Sequence, residues 1–218
     1  MQRDDLTVMK DGEEESHSKR AYAASGSVNA RKDQSGLRRV KRTVLYEGSA
    51  LDYCHDQMVL PDGSRETWDF IHHRRGGGAC VIPVLPDGRI LMIRQFRPSV
   101  DRTELELPAG ARLHPGEDAS ETAERELREE TGFTAGKMTH LATLRTAVAW
   151  CDETTELFLA EDLKKDGDQI LDPAEEIAVG AFDLDELYAM ILGGRIDDAK
   201  TVAGLFGYLA VRGRASSH

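Results

Sequence analysis

With 218 residues, the chain has the size of one domain, or of one domain with a small appendage. Its composition, 40% hydrophobic and 31% charged, is typical of globular proteins and gives no sign of fibrous or repeat architecture. A formal net charge of -11 disfavours binding to nucleic-acid backbone, which needs a basic surface. No apolar run approaches the roughly 20 residues of a membrane span. Residues 1–10 also lack the apolar stretch of a secretory signal, so we expect a cytoplasmic protein without a membrane partner.

The chain begins with a polar segment and continues into a β-rich one. Residues 1–38 lack periodic apolar positions, which predicts a disordered or loosely docked arm. Residues 39–75 predict an N-terminal β subdomain, with strands at 43–46, 52–60 and 65–73 around the turn Pro61-Asp62-Gly63. Gly76-Gly77-Gly78 follows. Because neither a helix start nor Lys-Ser/Thr comes after it, we interpret it as a hinge and not as a phosphate loop.

Residues 76–212 are predicted to form the main domain, and residues 213–218 a tail. Two strands at 79–85 and 89–96 are predicted to form a hairpin. Asp118 is a suitable N-cap for a helix that stops at Gly132, with Glu121 as its capping-box partner. Strands near 138–146, 156–160 and 177–182 and helices at 184–192 and 199–211 complete the pattern. Since it lacks a regular βαβ rhythm, we predict an α+β fold in which helices enclose a mixed-sheet sandwich.

Three glutamates on the predicted helix form a candidate metal site. The spacing of Glu126, Glu129 and Glu130 places them on one helix face. Their repulsion destabilises the helix unless cations compensate, and hard carboxylate oxygens suit Mg²⁺ or Mn²⁺. An acidic helix alone is more often a solvated face. The upstream segment Glu104 to Gly110 favours a site, because a backbone carbonyl in its Leu-Pro-Ala-Gly turn can reach the same ion.

The same stretch resembles the Nudix box, whose pattern is Gly, five residues, Glu, seven residues, then Arg-Glu-U-x-Glu-Glu-x-Gly-U, with U a bulky apolar residue. From Glu117 onward the match is complete, through Arg125-Glu126-Leu127-Arg128-Glu129-Glu130 to Thr131-Gly132-Phe133. Six residues, not five, separate Gly110 from Glu117, so the loop carries one extra residue. The resemblance implies a Nudix hydrolase with an α/β/α sandwich and an N-terminal antiparallel β extension.

The resemblance also implies a set of metal ligands and a cofactor. Glu126 and Glu130 match the family's principal metal ligands. Glu129 matches a further ligand or the partner of a metal-bound water, and the carbonyl of Ala109 matches an additional ligand. The implied cofactor is Mg²⁺, with Mn²⁺ as an alternative.

Further roles fall on the loops around the helix. Glu117 and Arg125 match a pair that braces the loop against the helix, which requires both partners to be present. The family's catalytic base comes from a loop after the sheet, where Glu175 matches best and Glu176 is the reserve. Glu153 is a further candidate at the substrate site. The alternative for each of these loop acids is a plain solvated group.

Other segments resemble the ADP-ribose pyrophosphatase branch of the family. The string Ile93 to Pro98 includes Arg97, which matches an arginine that contacts the diphosphate. In that branch the N-terminal strands commonly swap across a homodimer, so Trp68 or Phe70 is a candidate to stack on the substrate base; packing in the core or dimer interface is the alternative. Residues 147–149 are Ala-Val-Ala where the branch often has Ser-Pro-Gly, although the following acidic pair is kept.

The sequence therefore predicts a Mg²⁺-dependent enzyme that cleaves the diphosphate bond of ADP-ribose or a related nucleotide-sugar. The products are a nucleoside monophosphate and a sugar phosphate. One alternative is a catalytically weak sensor that binds ADP-ribose or a nucleotide on the same scaffold. A second is a nucleic-acid enzyme such as a cap hydrolase, acting through the basic stretch at residues 38–42; the acidic composition disfavours it.

Overall fold

The computed structural model describes residues 36–173 and 175–215. The predicted arm lies outside the described residues except for its last three, of which Arg38 already belongs to a strand. Within the described residues, no helix combines the length and the apolar character of a membrane span. The elements in chain order are β1 (Arg38–Glu47), β2 (Leu51–Val59), β3 (Arg65–His73), β4 (Gly77–Pro83), β5 (Ile90–Arg97), β6 (Arg102–Glu106), β7 (Ala109–Ala111), α1 (Ala119–Thr131), β8 (Phe133–Arg145), β9 (Thr154–Lys165), β10 (Ile177–Phe182), α2 (Leu184–Leu192) and α3 (Ala199–Ala215).

The three N-terminal strands form an antiparallel meander in the order β1-β2-β3, as their alternation predicts. Along β2, Asp52, Cys54 and Asp56 are buried, whereas the residues between them are exposed or half-buried. This alternation covers one face of the sheet and leaves the other open. The covered face is mixed, since Met58 is buried there as well as the two aspartates, and Asp56 is held by ion pairs with Arg39 and Arg42.

Two further sheets follow the N-terminal one. One is mixed, in the order β7-β4-β9-β8, with β4 and β9 parallel; the other is antiparallel, in the order β10-β5-β6. Side chains of β4 alternate between two cores: Ala79 and Val81 pack with residues of α1, whereas Cys80 and Ile82 pack with residues of α2 and α3. Helices therefore cover both faces of β4, which confirms the predicted α/β/α sandwich and explains why β4 is apolar throughout.

The predicted hairpin of strands 79–85 and 89–96 was wrong beyond its turn. The turn exists, since the Gly88 N–H donates to Leu85 O at 2.9 Å, and Val84 forms a single bridge with Ile90. Beyond that bridge, β4 pairs with β7 and β9, whereas β5 pairs with β6 and β10. Local alternation identifies a strand, but its neighbours depend on residues far away in the chain.

The predicted glycine hinge was also wrong. Gly77 and Gly78 are the first residues of β4, and Gly77 has a φ of 122°. A Cβ atom on Gly77 would lie 1.8 Å from Thr154 O, and one on Gly78 would lie 2.0 Å from Gly110 O. These glycines therefore allow the backbones of β7 and β9 to approach β4 where any side chain would clash.

Candidate active site

Helix α1 begins and ends where the sequence predicts. Asp118 Oδ1 accepts the Ser120 N–H at 2.8 Å. Gly132 ends the helix in the left-handed conformation, at φ 71°, and its N–H donates to Arg128 O. The capping box predicted with Glu121 was wrong, because the cap bond goes to Ser120 and the Glu121 side chain is exposed. The caps define which residues are helical, and the packing of Ala123 and Leu127 into the core sets the face that the helix turns inward.

The three glutamates of α1 have unequal surroundings. Glu126 and Glu130 are only 9% and 3% exposed, whereas the Glu129 side chain is 38% exposed. The Ala109 N–H donates to Glu130 Oε2 at 2.9 Å. Arg125 Nη1 donates to Glu126 Oε1 at 2.6 Å and to Glu129 Oε2 at 3.2 Å. The common face therefore has two carboxyl groups turned inward and a third at its rim.

Ala109 and Gly110 belong to β7, and not to the turn predicted for them. The ladder bonds to β4 are made by the residues that flank Ala109, so its own N–H and carbonyl face away from β4. The N–H meets Glu130 on that side. A Cβ on Gly110 would lie 2.1 Å from Glu126 Oε1, so the missing side chain makes room for that carboxylate.

Burial and mutual repulsion raise the pKa values of the two inward carboxyl groups. For Glu130, burial and then the charge of Glu126 raise the pKa from 4.5 to about 8, against the opposing hydrogen bond from Ala109. For Glu126, burial likewise raises the pKa and outweighs the lowering effect of Arg125. Raised pKa values in a cluster of carboxyl groups mark a site where negative charge is undercompensated.

Glu175 lies close to these carboxyl groups, on the segment that leads into β10. Its charge contributes to the raised pKa values of both Glu126 and Glu130. The Asp172 N–H donates to Glu175 Oε2 at 3.1 Å, and the Glu175 N–H donates to Asp172 O at 2.8 Å. A local turn therefore positions the carboxylate. Glu176, the reserve candidate, has an exposed side chain.

Arg125 connects α1 to the loop that precedes it, as the motif implies. Its Nε lies 3.7 Å from Glu117 Oε1, and its Nη2 donates to Ala111 O at 2.9 Å. Glu117 in turn accepts the Leu113 N–H. The sequence predicts that the extra loop residue lies within Ala111 to Pro115; with it present, Arg125 and Glu117 still lie close together.

A cavity of about 520 Å³ opens beside β7 and the start of β4. Arg97 is held there because its Nε and Nη2 donate to the two carboxylate oxygens of Glu106, at 2.7 and 2.9 Å. Glu153 accepts the Thr146 hydroxyl at 2.7 Å. The predicted substrate residues Arg97 and Glu153 thus share one cavity, whose lining also includes Gly77, Gly78, Ala109, Gly110, Ala111 and Lys200.

Trp68 and Phe70 lie elsewhere, in a second cavity of about 570 Å³ between the N-terminal sheet and residues 148–149. Trp68 is 44% exposed, and the guanidinium of Arg42 covers one face of the Phe70 ring at 4.1 Å. The linings of the two cavities have no described residue in common. Within one chain, the structure therefore does not bring these aromatic residues to Arg97.

Asp152 connects the N-terminal sheet to the first cavity. It accepts the His73 N–H at 2.8 Å and lies 2.7 Å from His72 Nδ1 and 3.7 Å from Arg42 Nη1. Burial raises the pKa of Asp152, but the bonds from His72 and His73 and the charge of Arg42 outweigh it, so the pKa falls below its ordinary value. Asp152 therefore attaches the segment that carries Glu153 to the end of β3.

Glu126, Glu129 and Glu130 form an acidic cluster whose chemistry suits a divalent cation. Among residues 36–173 and 175–215, no three His, Cys, Asp or Glu side chains already converge as a metal-binding group. The donor chemistry nevertheless fits, because Glu126 and Glu130 are buried hard oxygen donors with undercompensated charge. The missing side chain of Gly110 lets the Glu126 carboxylate lie directly against β7, next to Ala109. A cation bound here would favour the ionised form of both carboxyl groups.

Sequence reasoning missed Glu106 and Lys200. Glu106 is 2% exposed and accepts from both Arg97 and Lys200 Nζ. Its two partners come from distant segments, so no local pattern identifies it. Lys200 lies in the first turn of α3, where a cation is electrostatically unfavourable. That local conflict was the available signal.

Comparison with protein families matches residues 74–205 to the NUDIX domain. An ADP-ribose pyrophosphatase of Bacillus subtilis is 33% identical over 163 residues, which cover 74% of this chain and 86% of that protein. A methanol dehydrogenase activator of Bacillus methanolicus is 33% identical over 164 residues, covering 75% and 87%. The crystal structure of an ADP compounds hydrolase superposes with a TM-score of 0.70 at 20% identity, over 82% of this chain and 95% of the other. The structural likeness agrees with the sandwich fold described above.

Proposed function

Since the chain belongs to the NUDIX family, we propose that it is a metal-dependent pyrophosphohydrolase that cleaves ADP-ribose or a related nucleotide-sugar. The products are a nucleoside monophosphate and a sugar phosphate. The observation that carries this proposal is the buried pair Glu126 and Glu130, with Glu175 close by and Arg97 in the adjoining cavity. The name of the Bacillus subtilis relative supports ADP-ribose as the substrate.

Mg²⁺ is the proposed cofactor, and Mn²⁺ is the alternative. Its ligands would be the carboxylates of Glu126, Glu129 and Glu130 and the carbonyl of Ala109, whose strand position turns that carbonyl away from β4. When bound, the ion supplies positive charge to the diphosphate oxygens and lowers the pKa of a coordinated water. Arg125 donates to both Glu126 and Glu129 and so holds their carboxylates near each other.

Glu175 is the proposed general base. It accepts a proton from the attacking water, whose oxygen bonds to one phosphorus, while the bridging P–O bond breaks and its electrons leave with the other phosphate. A base must lie within reach of the water and close to the charged site. The position of Glu175 beside Glu126 and Glu130, on a segment fixed by its own turn, supports this assignment over Glu176.

Arg97 is proposed to contact the diphosphate and Glu153 to contact the substrate, since both line the same cavity. Trp68 or Phe70 is proposed to stack on the base from a second copy of the chain. This proposal invokes a second copy because a single chain does not bring these aromatic residues to Arg97.

A product assay on the full chain tests the function. ADP-ribose, GDP-mannose, UDP-glucose and dinucleoside polyphosphates are incubated with Mg²⁺, and with EDTA as the metal-free control. We expect ADP-ribose to be cleaved fastest, and EDTA to abolish cleavage. Glu126→Gln and Glu130→Gln should each lower turnover by orders of magnitude with the fold intact, whereas Glu124→Gln, an exposed residue of the same helix, should not.

The outcomes separate the alternatives. Unchanged turnover in the double variant of Glu126 and Glu130 would remove both residues from the mechanism. Binding of ADP-ribose without any product would support the sensor instead. Glu175→Gln should lower kcat by more than it weakens metal binding, as expected for a base. Equal losses of both would make Glu175 a metal ligand.

A further inference from the structure

Lys200 occupies a position that local helix energetics disfavour. It is the second residue of α3, where the positive end of the helix dipole repels a cation. Its side chain is only 16% exposed, and lysines are rarely so buried. Asp198 compensates in part, since its Oδ2 accepts the Thr201 N–H at 3.0 Å and Lys200 Nζ at 2.9 Å. A residue that violates a local preference in a well-formed element points to a functional constraint.

Lys200 shares its second counter-ion with Arg97. Both donate to the carboxylate of Glu106, which is almost completely buried on β6. Burial lowers the pKa of Lys200, but the charges of Asp198 and Glu106 outweigh it and raise that pKa above its ordinary value. The ammonium group therefore stays charged at neutral pH.

The two cations keep donors for a ligand. An ammonium has three N–H donors, and Glu106 and Asp198 take two of those on Lys200. A guanidinium has five, and Glu106 takes two of those on Arg97. Among the described residues, one donor of Lys200 and three of Arg97 thus remain for a bound molecule.

These donors face the candidate active site. Arg97 and Lys200 line the 520 Å³ cavity and also an adjoining cavity of about 360 Å³, together with Ser99 and Asp198, so the two cavities form one groove. Ala109 lines the same groove. The charges of Arg97 and Glu130 also influence each other, so this part of the groove lies within electrostatic range of the glutamates of α1.

We propose that Lys200 is a substrate-binding residue: with Arg97, it forms a two-cation clamp on Glu106 in which each cation binds one phosphate of a diphosphate. This inference rests on the proposed function for the identity of the substrate. The shared carboxylate sets the spacing between the cations, so the clamp selects for two linked phosphates over one. A lysine that only neutralised Glu106 would affect stability and not affinity.

The test compares Lys200→Gln and Lys200→Arg with Lys164→Gln, which removes an exposed lysine from β9. Binding of inorganic pyrophosphate and of inorganic phosphate, each with Mg²⁺, is measured by calorimetry, and KM, kcat and Tm are measured alongside. We expect Lys200→Gln to weaken pyrophosphate binding and raise KM by about 10-fold or more, as for the loss of one charge-assisted hydrogen bond. Phosphate binding should change less, Lys200→Arg should recover part of the affinity, and Lys164→Gln should match the wild type.

A lower Tm with pyrophosphate affinity and KM within twofold of wild type would overturn the proposal, because only the structural role would remain. If Lys200→Gln does not fold, Glu106→Gln is compared with the double variant Glu106→Gln/Lys200→Gln. The double variant leaves no unpaired buried carboxylate. Equal pyrophosphate affinity in these two variants would also overturn the proposal. If the wild type cleaves no nucleotide but binds pyrophosphate, and Lys200→Gln weakens that binding, the proposed function is refuted and the clamp is supported.

Discussion

Glu130→Gln is expected to stabilise the metal-free protein while it removes activity. The pKa of Glu130 is raised from 4.5 to about 8 in the folded chain, chiefly by burial and the charge of Glu126. Between these two pH values the unfolded chain releases the proton and the folded chain retains it. Because the unfolded state then binds fewer protons, the free energy of unfolding falls as pH rises through this window. At roughly 1.4 kcal/mol per pKa unit, the loss is complete near pH 8 and amounts to about 5 kcal/mol.

Glutamine keeps the acceptor for the Ala109 N–H but carries no charge, so it should remove this pH dependence. In the wild type, water that reaches the ionised Glu130 offsets part of the cost of its burial. We therefore expect Glu130→Gln to raise the free energy of unfolding by about 2–5 kcal/mol at pH 8 and to change it little near pH 5. Urea denaturation in EDTA at pH 5, 6.5 and 8 measures this free energy, with Glu124→Gln as the control on the same helix. Equal stability of wild type and Glu130→Gln at pH 8 would refute the reasoning. Mg²⁺ should stabilise the wild type at pH 8 and leave the variant nearly unaffected.

Three other substitutions have defined outcomes. In Gly110→Ala, the new Cβ would lie within 2.5 Å of the carboxylate of Glu126, whose flexible end can move aside. Turnover should fall at least about 10-fold with little loss of stability. An unchanged rate would show that the position of this carboxylate against Gly110 is not needed. Gly207→Ala meets no atom within 4 Å in α3 and should raise the free energy of unfolding by about 0.5–1 kcal/mol in urea denaturation, without altering turnover. Asp152→Asn weakens the contacts with His72 and should cost about 1–3 kcal/mol in the same assay; a cost near zero would contradict the proposed link between sheet and cavity.

Local signals predicted the elements that carry the acidic cluster. Asp118 and Gly132 bound α1 as expected because a cap and a left-handed glycine act on neighbouring residues only. The 3.6-residue period then places Glu126 and Glu130 on one face whatever surrounds the helix. The strand 177–182 and the helix 184–192 also occur at the predicted residues, since each is delimited by local polarity changes.

Other expectations failed where distant segments decide the outcome. Gly77 and Gly78 resemble a hinge in sequence, but the backbones of Thr154 and Gly110 lie against them, and only the folded chain shows that approach. The separation of β4 from β5 has the same cause, because each strand finds partners remote in sequence. Trp68 remains a proposed base-stacking residue that a single chain does not bring to Arg97.

The sequence by itself determined that one helical turn carries three carboxylates and that the segment ending in Gly110 precedes it. That motif identified the family and the class of reaction. Only the tertiary structure decided that Glu126 and Glu130 are buried and repel each other while Glu129 stays at the rim. It alone placed Arg97 and Lys200 on one carboxylate, Glu106. The reason is physical: helix periodicity is a property of the local backbone, whereas burial and charge pairing depend on which distant segments exclude water from the same place.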